Sequence, residues 1–305
     1  MPFLGESACL TAAMMWAVAV VIFRGPIAAW GARTANLVKC LVATGLLVLT
    51  LPFFGGLSAF AGVPARDLLF IAVSGLVGLT LGDTALFAAV ARIGAHRTLV
   101  LQTTAPLFAG LLAAAAGERL AVHELAGAAV ILGGVVMVVA SRDANDSNAA
   151  AVAAGGIVLA LVGAFGQGAG VVLAKQGLDN IATMPATLLR LGAGTVGLFA
   201  AGAFSNGVGR LRRALVDGPR MRLMVPATFI GTYLALLLMM TGVAMAPATI
   251  AAVLLATSPI FGLVVEAVAD RQRPTAVAVI GTVVAVVGVA ILVGGLDVLL
   301  AVISS

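Results

Sequence analysis

Apolar residues fill this chain in runs rather than stripes. Ten runs of 16 to 24 residues alternate with short polar breaks: Leu4–Phe23, Thr34–Phe54, Leu68–Ala91, Thr98–Ala116, Leu125–Ala140, Val152–Ala174, Pro185–Phe204, Leu223–Val243, Thr249–Val268 and Ala276–Leu296. A helix rises about 1.5 Å per residue and the bilayer's hydrocarbon is about 30 Å thick, so runs of this size are long enough to cross it. None alternates apolar and polar residues as a strand would. Backbone groups in lipid need partners within their own segment, so the runs predict helices. The last run is the cleanest, with no charge between Arg273 and Asp297. The first has no basic segment before it and no clear small-residue cleavage site, so it reads as a first helix rather than a removed signal.

The breaks set the topology. Gly94–Arg97 and Ala246–Ala248 barely turn the chain, so the helices they join must be antiparallel. The polar stretch Ser141–Ala149 marks a linker, placed at residues 142–151, between a first unit at 1–141 and a second at 152–305. Ser205–Arg222 is the longest connection and carries five Arg.

The second unit repeats the first at a shift of 151 to 154 residues. Val20–Arg24 falls on Val171–Lys175, Trp16 on Gln167, Lys39 on Arg190 and Gly78 on Gly231. Ala95–Pro106 falls on Ala248–Pro259, and Gly127 on Gly281 with one residue of slip. Five helices per unit is an odd number, so the second unit enters the membrane upside down. The expected fold is an all-α polytopic membrane protein of ten transmembrane helices in two inverted five-helix repeats, an architecture that places a binding site between the units.

Composition agrees: 62% of the 305 residues are hydrophobic and 10% charged, with a mean hydropathy of +1.19. Soluble domains run nearer a quarter charged. The net charge of +5 does not point to nucleic acid, because basic residues are scattered singly and aromatics are only 5%. Cys9 and Cys40 lie within apolar runs as small packing residues, and His96 and His123 fall in short loops, so neither a metal nor a cofactor is expected. Odd-numbered loops hold twelve Arg, and even-numbered loops hold only Arg66, Arg119 and Lys175. Positive residues stay on the cytoplasmic side, which would put both termini outside.

Few polar residues interrupt the runs. Asp83 lies nine residues before Arg92 and sixteen after Asp67, well inside the third run. A carboxylate at the bilayer centre costs roughly 2.5–3.5 kcal/mol on insertion scales. It is either a proton or substrate-amine site, or a carboxylate paired to a helix or facing water. Gly75, Gly78 and Gly82 form a small face on the same helix, suited to close packing. Lys39 and Arg190 could snorkel to an interface, neutralise a substrate carboxylate, or pair with Asp83. Pro106 deprives the Gln102 carbonyl of its helical donor, and Pro259 does the same to Leu255. Either the freed carbonyls face a cavity, beside Gln102, Thr103 and Thr104, or nearby hydroxyls satisfy a packing kink. Trp16, Phe87, Gln167 and Tyr233 complete the candidate cavity lining. Glu266 reads as interfacial, and Glu118–Arg119 as a structural turn. There is no Ser-His-Asp arrangement and no phosphate-cradling loop, so no enzyme is expected.

The run from Gly75 to Val139 has a Gly-rich helix, the AxxxIGA turn Ala89–Ala95, Pro106, the Gly117–Leu120 turn GERL and a Gly-led fifth helix. It resembles the EamA-type domain of the drug/metabolite transporter superfamily. The second copy keeps Pro259 and Gly281 but has Ala269–Gln272 in place of GERL. The resemblance covers nearly the whole chain. It implies ten helices, a central cavity, export of small metabolites or amino acids, and cytoplasmic termini, the last against the charge count. The combined expectation is a multi-pass secondary transporter of a bacterial inner membrane. It would export amino acids or similar metabolites, with proton coupling through Asp83 and a monomer sufficient. The alternatives are an uncoupled facilitative carrier, or a non-transporting scaffold or sensor.

Overall fold

The computed structural model describes residues 4–115, 121–140, 147–178, 180–203, 207–245, 254–271 and 273–293. These are helices joined by short turns, with no strand among them. The first unit comprises α1 (Leu4–Trp30), α2 (Ala32–Thr50), α3 (Ala65–Gly75), α4 (Asp83–Ile93), α5 (Ala95–Gln102), α6 (Ala105–Ala115) and α7 (Val122–Ala140). The second comprises α8 (Ser147–Gly177), α9 (Thr183–Ala203), α10 (Gly207–Val216), α11 (Gly218–Thr228), α12 (Ala235–Met245), α13 (Ser258–Asp270) and α14 (Ala276–Leu292).

Seven helical stretches of the described residues are long and apolar enough to cross a membrane: Leu4–Trp30, Ala32–Phe54, Ala65–Ile93, Val122–Ala140, Val152–Gly177, Thr183–Gly202 and Gly218–Met239. Ala276–Leu292 is a shorter apolar helix. The fourth run is not one helix, because Thr103 and Thr104 form a turn between α5 and α6. Large apolar side chains stay exposed around the body, with Leu49 at 72% and Val268 at 73%. Such a surface suits lipid rather than water.

One local expectation changes, and two others fall wholly or partly outside the described residues. The loop Ser205–Arg222 is largely helical: α10 buries Leu211 and Ala214, one turn apart, and leaves Arg210, Arg212 and Arg213 exposed. A basic amphipathic helix of this kind lies along a membrane surface. Of the expected linker 142–151, residues 142–146 lie outside the described residues, and α8 begins at Ser147. The Glu118–Arg119 turn also lies outside them.

Two stretches widen from α to π geometry. Leu76–Gly82 joins α3 to α4 as a π-helix, and Phe229–Leu234 joins α11 to α12 in the same way. The two starts differ by 153 residues, the shift that lays Gly78 on Gly231. A π-helix is rare and clusters at functional sites, so its recurrence at one repeat position marks an inherited feature of both units.

The units interlock rather than sit side by side. A Cβ on Gly78 would lie 3.7 Å from the Gly166 carbonyl and 3.8 Å from Gly170 Cα, both on α8. At Gly231 it would lie 3.3 Å from the Met15 carbonyl and would overlap the Ala19 side chain, both on α1. Met15 and Ala19 are the 151-residue counterparts of Gly166 and Gly170. Each unit's first helix therefore packs on the other unit's π-helix. The helices α7 and α14 cross with the same reciprocity. Gly134 faces Ala285 and Gly281, while Gly288 faces Ile131, and Gly127 faces Leu292, while Gly281 faces Val138. Rising numbers on α7 meet falling numbers on α14, so the helices are antiparallel and the two-fold axis runs across them. That is the inverted arrangement the odd helix count requires.

The first, third, seventh and ninth loops gather at one end. Arg24 pairs with Glu266 at 3.3 Å and with Asp270 at 2.9 Å. Glu266 also accepts from the backbone N–H groups of Ala95 at 3.2 Å and His96 at 2.7 Å, satisfying free donors at the start of α5. Trp30 Nε1 donates to Asp217 at 2.9 Å. At the opposite end, Asn180 Nδ2 donates to Asp67 at 2.8 Å, joining two even-numbered loops.

Candidate functional site

The first π-helix builds the centre of the molecule. Its wider turn redirects backbone carbonyls sideways, where side-chain amides from other helices take them up. Asn36 Nδ2 on α2 donates to the Leu79 carbonyl at 2.8 Å and to Thr84 Oγ1 at 3.0 Å. Gln167 Nε2 on α8 donates to the Gly78 carbonyl at 3.4 Å. Thr80 Oγ1 donates to the Gly194 carbonyl on α9 at 3.0 Å. The bulge is thus fastened to three helices.

Asp83 is the first residue after it. One carboxylate oxygen pairs with Lys39 Nζ and the other accepts from Gln167 Nε2. Lys39 and Asp83 are among the most buried polar residues, with side chains 1% and 3% exposed. The ammonium also lies 5.1 Å from the centre of the Phe87 ring. Phe87 packs in turn against Phe23 in a tilted ring pair, with centroids 5.3 Å apart. The ring face offers the cation a second favourable contact. Lys39, Asp83, Phe87 and Gln167 therefore form one connected group. Neither Lys39 nor Asp83 reaches an interface, so each charge depends on the other.

Arg190 on α9 stands beside this group. Its guanidinium passes through a slot that only glycine leaves open: a Cβ on Gly78 or Gly170 would lie 2.9 or 3.2 Å from Nη2. The α9 backbone touches α3 where a Cβ on Gly75 would overlap the Arg190 carbonyl. Gly82 meets Gly166 on α8. The Gly75, Gly78 and Gly82 face is thus a helix-packing surface, and it also makes room for the arginine.

The sequence profile of the EamA-like transporter family matches residues 3–140 and again residues 154–294. The chain belongs to the EamA-like transporter family. Among curated proteins nothing matches. A solved crystal structure shares the fold of this EamA-like chain, with a TM-score of 0.59 at 18% identity over 94% of this chain and 95% of that one. The family identifies an integral multi-pass membrane protein of a transporter class.

The remaining candidates of this EamA-like protein lie around the central group rather than in it. Gln102 Nε2 donates to the Ala160 carbonyl at 3.2 Å and lies against Gly163, one turn from Gln167 on α8. Thr103 and Thr104 donate their hydroxyls to the Val100 and Leu101 carbonyls, both at 2.7 Å. The second unit does the same, with Thr257 bonding Leu254 at 2.5 Å and Ser258 bonding Leu255 at 2.7 Å. The carbonyl that Pro259 frees is therefore satisfied by a hydroxyl within its own segment. Pro106 and Pro259 each sit at the second residue of the helix after the turn, α6 and α13. Tyr233 stacks on Phe229 at 5.5 Å within the second π-helix. Trp16 packs against the main apolar cluster of α1, α2 and α4.

Asn36 is the central residue that sequence reading passes over. It is fully buried and holds the π-helix to α2. Its signal was its position three residues before Lys39, on the same helix face.

Proposed function

We propose that this protein is a secondary transporter of ten transmembrane helices that exports amino acids or similar small metabolites across a bacterial inner membrane. The observation behind this reading is the buried Lys39–Asp83–Gln167 group. It stands where α2 and α4 of one unit meet α8 of the other, directly after a π-helix. An ion pair in a membrane interior is costly to maintain, and cross-unit sites beside broken helices are where inverted-repeat carriers hold solutes.

In this reading Asp83 exchanges partners. Protonation of its carboxylate, or capture of a substrate amine, would release the Lys39 ammonium and loosen α2 from α4. The twelve Arg of the odd loops support a cytoplasmic placement for the Arg24–Glu266–Asp270 end, with both termini outside. The chain has no enzymatic role in this proposal.

Reconstitution into liposomes tests the reading. Flux of at least one solute from a broad panel is expected under a solute or proton gradient, and its absence throughout would sink the proposal. Asp83→Asn should abolish proton-driven flux while leaving exchange measurable. Retained proton coupling in that variant would favour the uncoupled carrier. A reporter fused after Ser305 tests the orientation: activity only as a cytoplasmic fusion would reverse it.

A further inference from the structure

The inverted repeat is broken at the charge that matters most. Lys39 and Arg190 occupy the same repeat position, but Asp83 falls on Leu236 in the second unit at the 153-residue shift that superposes the π-helices. Gln167, the other partner of Asp83, falls on Trp16. One unit thus supplies a cation with its carboxylate, to which Gln167 of the other unit adds its amide. The other supplies a cation and puts an apolar residue where the carboxylate would be.

The consequence is an unbalanced centre. Both Asp83 oxygens are engaged, by Lys39 and by Gln167. Arg190 stands close enough to interact electrostatically with both Asp83 and Lys39, yet its Nε is buried without a hydrogen-bond partner among the described residues. Two cations share one carboxylate, which leaves one positive charge uncompensated. Arg190 is only partly exposed; a charge withdrawn from water without a counter-ion is unfavourable, and a guanidinium cannot shed its proton to escape it. The glycine slot at Gly78 and Gly170 lies against Nη2, and Nε on the same edge of the guanidinium has no hydrogen-bond partner among the described residues.

We infer that Arg190 is the anchor for a carboxylate of the transported solute, which binds side-on across Nε and a neighbouring guanidinium nitrogen and brings the missing negative charge. The inference rests on the transport reading and narrows its substrates to solutes with a free carboxylate. Two parallel N–H donors match the two oxygens of a carboxylate. A lysine at the same position would supply charge without that fork.

The test uses purified full-length protein and matched solutes that differ only in the carboxylate: α-amino acids and their amides, 2-hydroxy acids and their amides, and inorganic phosphate. Thermal stabilisation is expected from at least one free acid and from none of the amides. Arg190→Gln should weaken that acid's binding by about 10- to 100-fold, and Arg190→Lys should weaken it less. The amide comparison on the unaltered protein stands even if Arg190→Gln fails to fold. Equal stabilisation by acid and amide, stabilisation by phosphate alone, or acid binding unchanged in Arg190→Gln overturns the inference. Flux of neutral or cationic solutes without carboxylate binding overturns it while leaving transport standing. Absence of both binding and flux removes the transport reading too.

Discussion

Thr44 and Thr195 hydroxyls lie 3.2 Å apart, and the two residues are counterparts in the repeat, 151 positions from each other. A residue that touches its own counterpart lies on the axis relating the two units. Thr195 Oγ1 also donates to the Leu191 carbonyl at 2.8 Å, which leaves it as acceptor for Thr44. The axis therefore passes between α2 and α9, the helices that carry Lys39 and Arg190. In a protein lacking Cys9 and Cys40, the pair Thr44→Cys and Thr195→Cys should cross-link under mild oxidation, because side chains this close suit a disulfide. Intact-mass measurement reads the loss of two thiols. No cross-link, with folded protein, would place the axis elsewhere.

The Lys39–Asp83 pair should behave as a mutual dependency. Lys39→Met or Asp83→Leu removes one half of the buried pair, and each should cost about 3–5 kcal/mol of stability. The double variant should recover most of that loss, since apolar groups of similar size replace both charges. Thermal unfolding in detergent measures all four proteins. Additive losses in the double variant would show that the two charges do not depend on each other.

The α7–α14 contact predicts a contrast between adjacent glycines. A Cβ on Gly134 would lie 2.5 Å from the Gly281 carbonyl and still closer to the Ala285 backbone nitrogen, whereas Gly133 has nothing within 4 Å. Gly134→Ala should destabilise by about 1–3 kcal/mol through overpacking. Gly133→Ala should be neutral or slightly stabilising, by roughly the helix propensity difference of up to 1 kcal/mol. Equal effects at the two positions would contradict the close helix crossing.

Trp30 should report the protonation of Asp217. Hydrogen bonds from the Trp30 indole, and then from Arg220, hold the Asp217 carboxyl below its ordinary range. The sign follows: the contact is complete above the ordinary carboxylate pKa and is lost as pH falls through the lowered folded value. In a Trp16→Phe protein, Trp30 is the only indole, and its emission should shift on acidification with a midpoint below about 3.9. A midpoint at or above that value would show that the indole does not stabilise the charged form.

The sequence carried much of this architecture. Apolar runs long enough to cross a bilayer are a local property, because lipid demands hydrophobicity of each segment by itself. The repeat was visible for a related reason: Gly78 and Gly231 mark the same close contact in each unit, and Pro106 and Pro259 the same turn. Asp83 and Lys39 stood out because charge inside an apolar run is expensive wherever it falls. Partnership was not visible. Lys39 was equally consistent with an interfacial position, because periodicity sets the face of a helix and not which helix lies opposite. Asn36 looked like one more tolerated polar residue until the π-helix carbonyls it holds were in place.

The π-helices themselves came from tertiary structure. A π-turn forgoes favourable α geometry and persists where other helices satisfy the carbonyls it displaces, here through Asn36, Gln167 and glycine contacts more than eighty residues away in places. The helical form of Gly207–Val216 likewise depends on α2 to receive Leu211, since charge count alone made it a basic loop. By itself the sequence determined that apolar segments enter the membrane, that they form two copies, and that an odd number of helices per copy would invert them. Only the folded structure decided that the copies interlock, and that this leaves two cations sharing one carboxylate, because charge balance is summed over neighbours in space rather than along the chain.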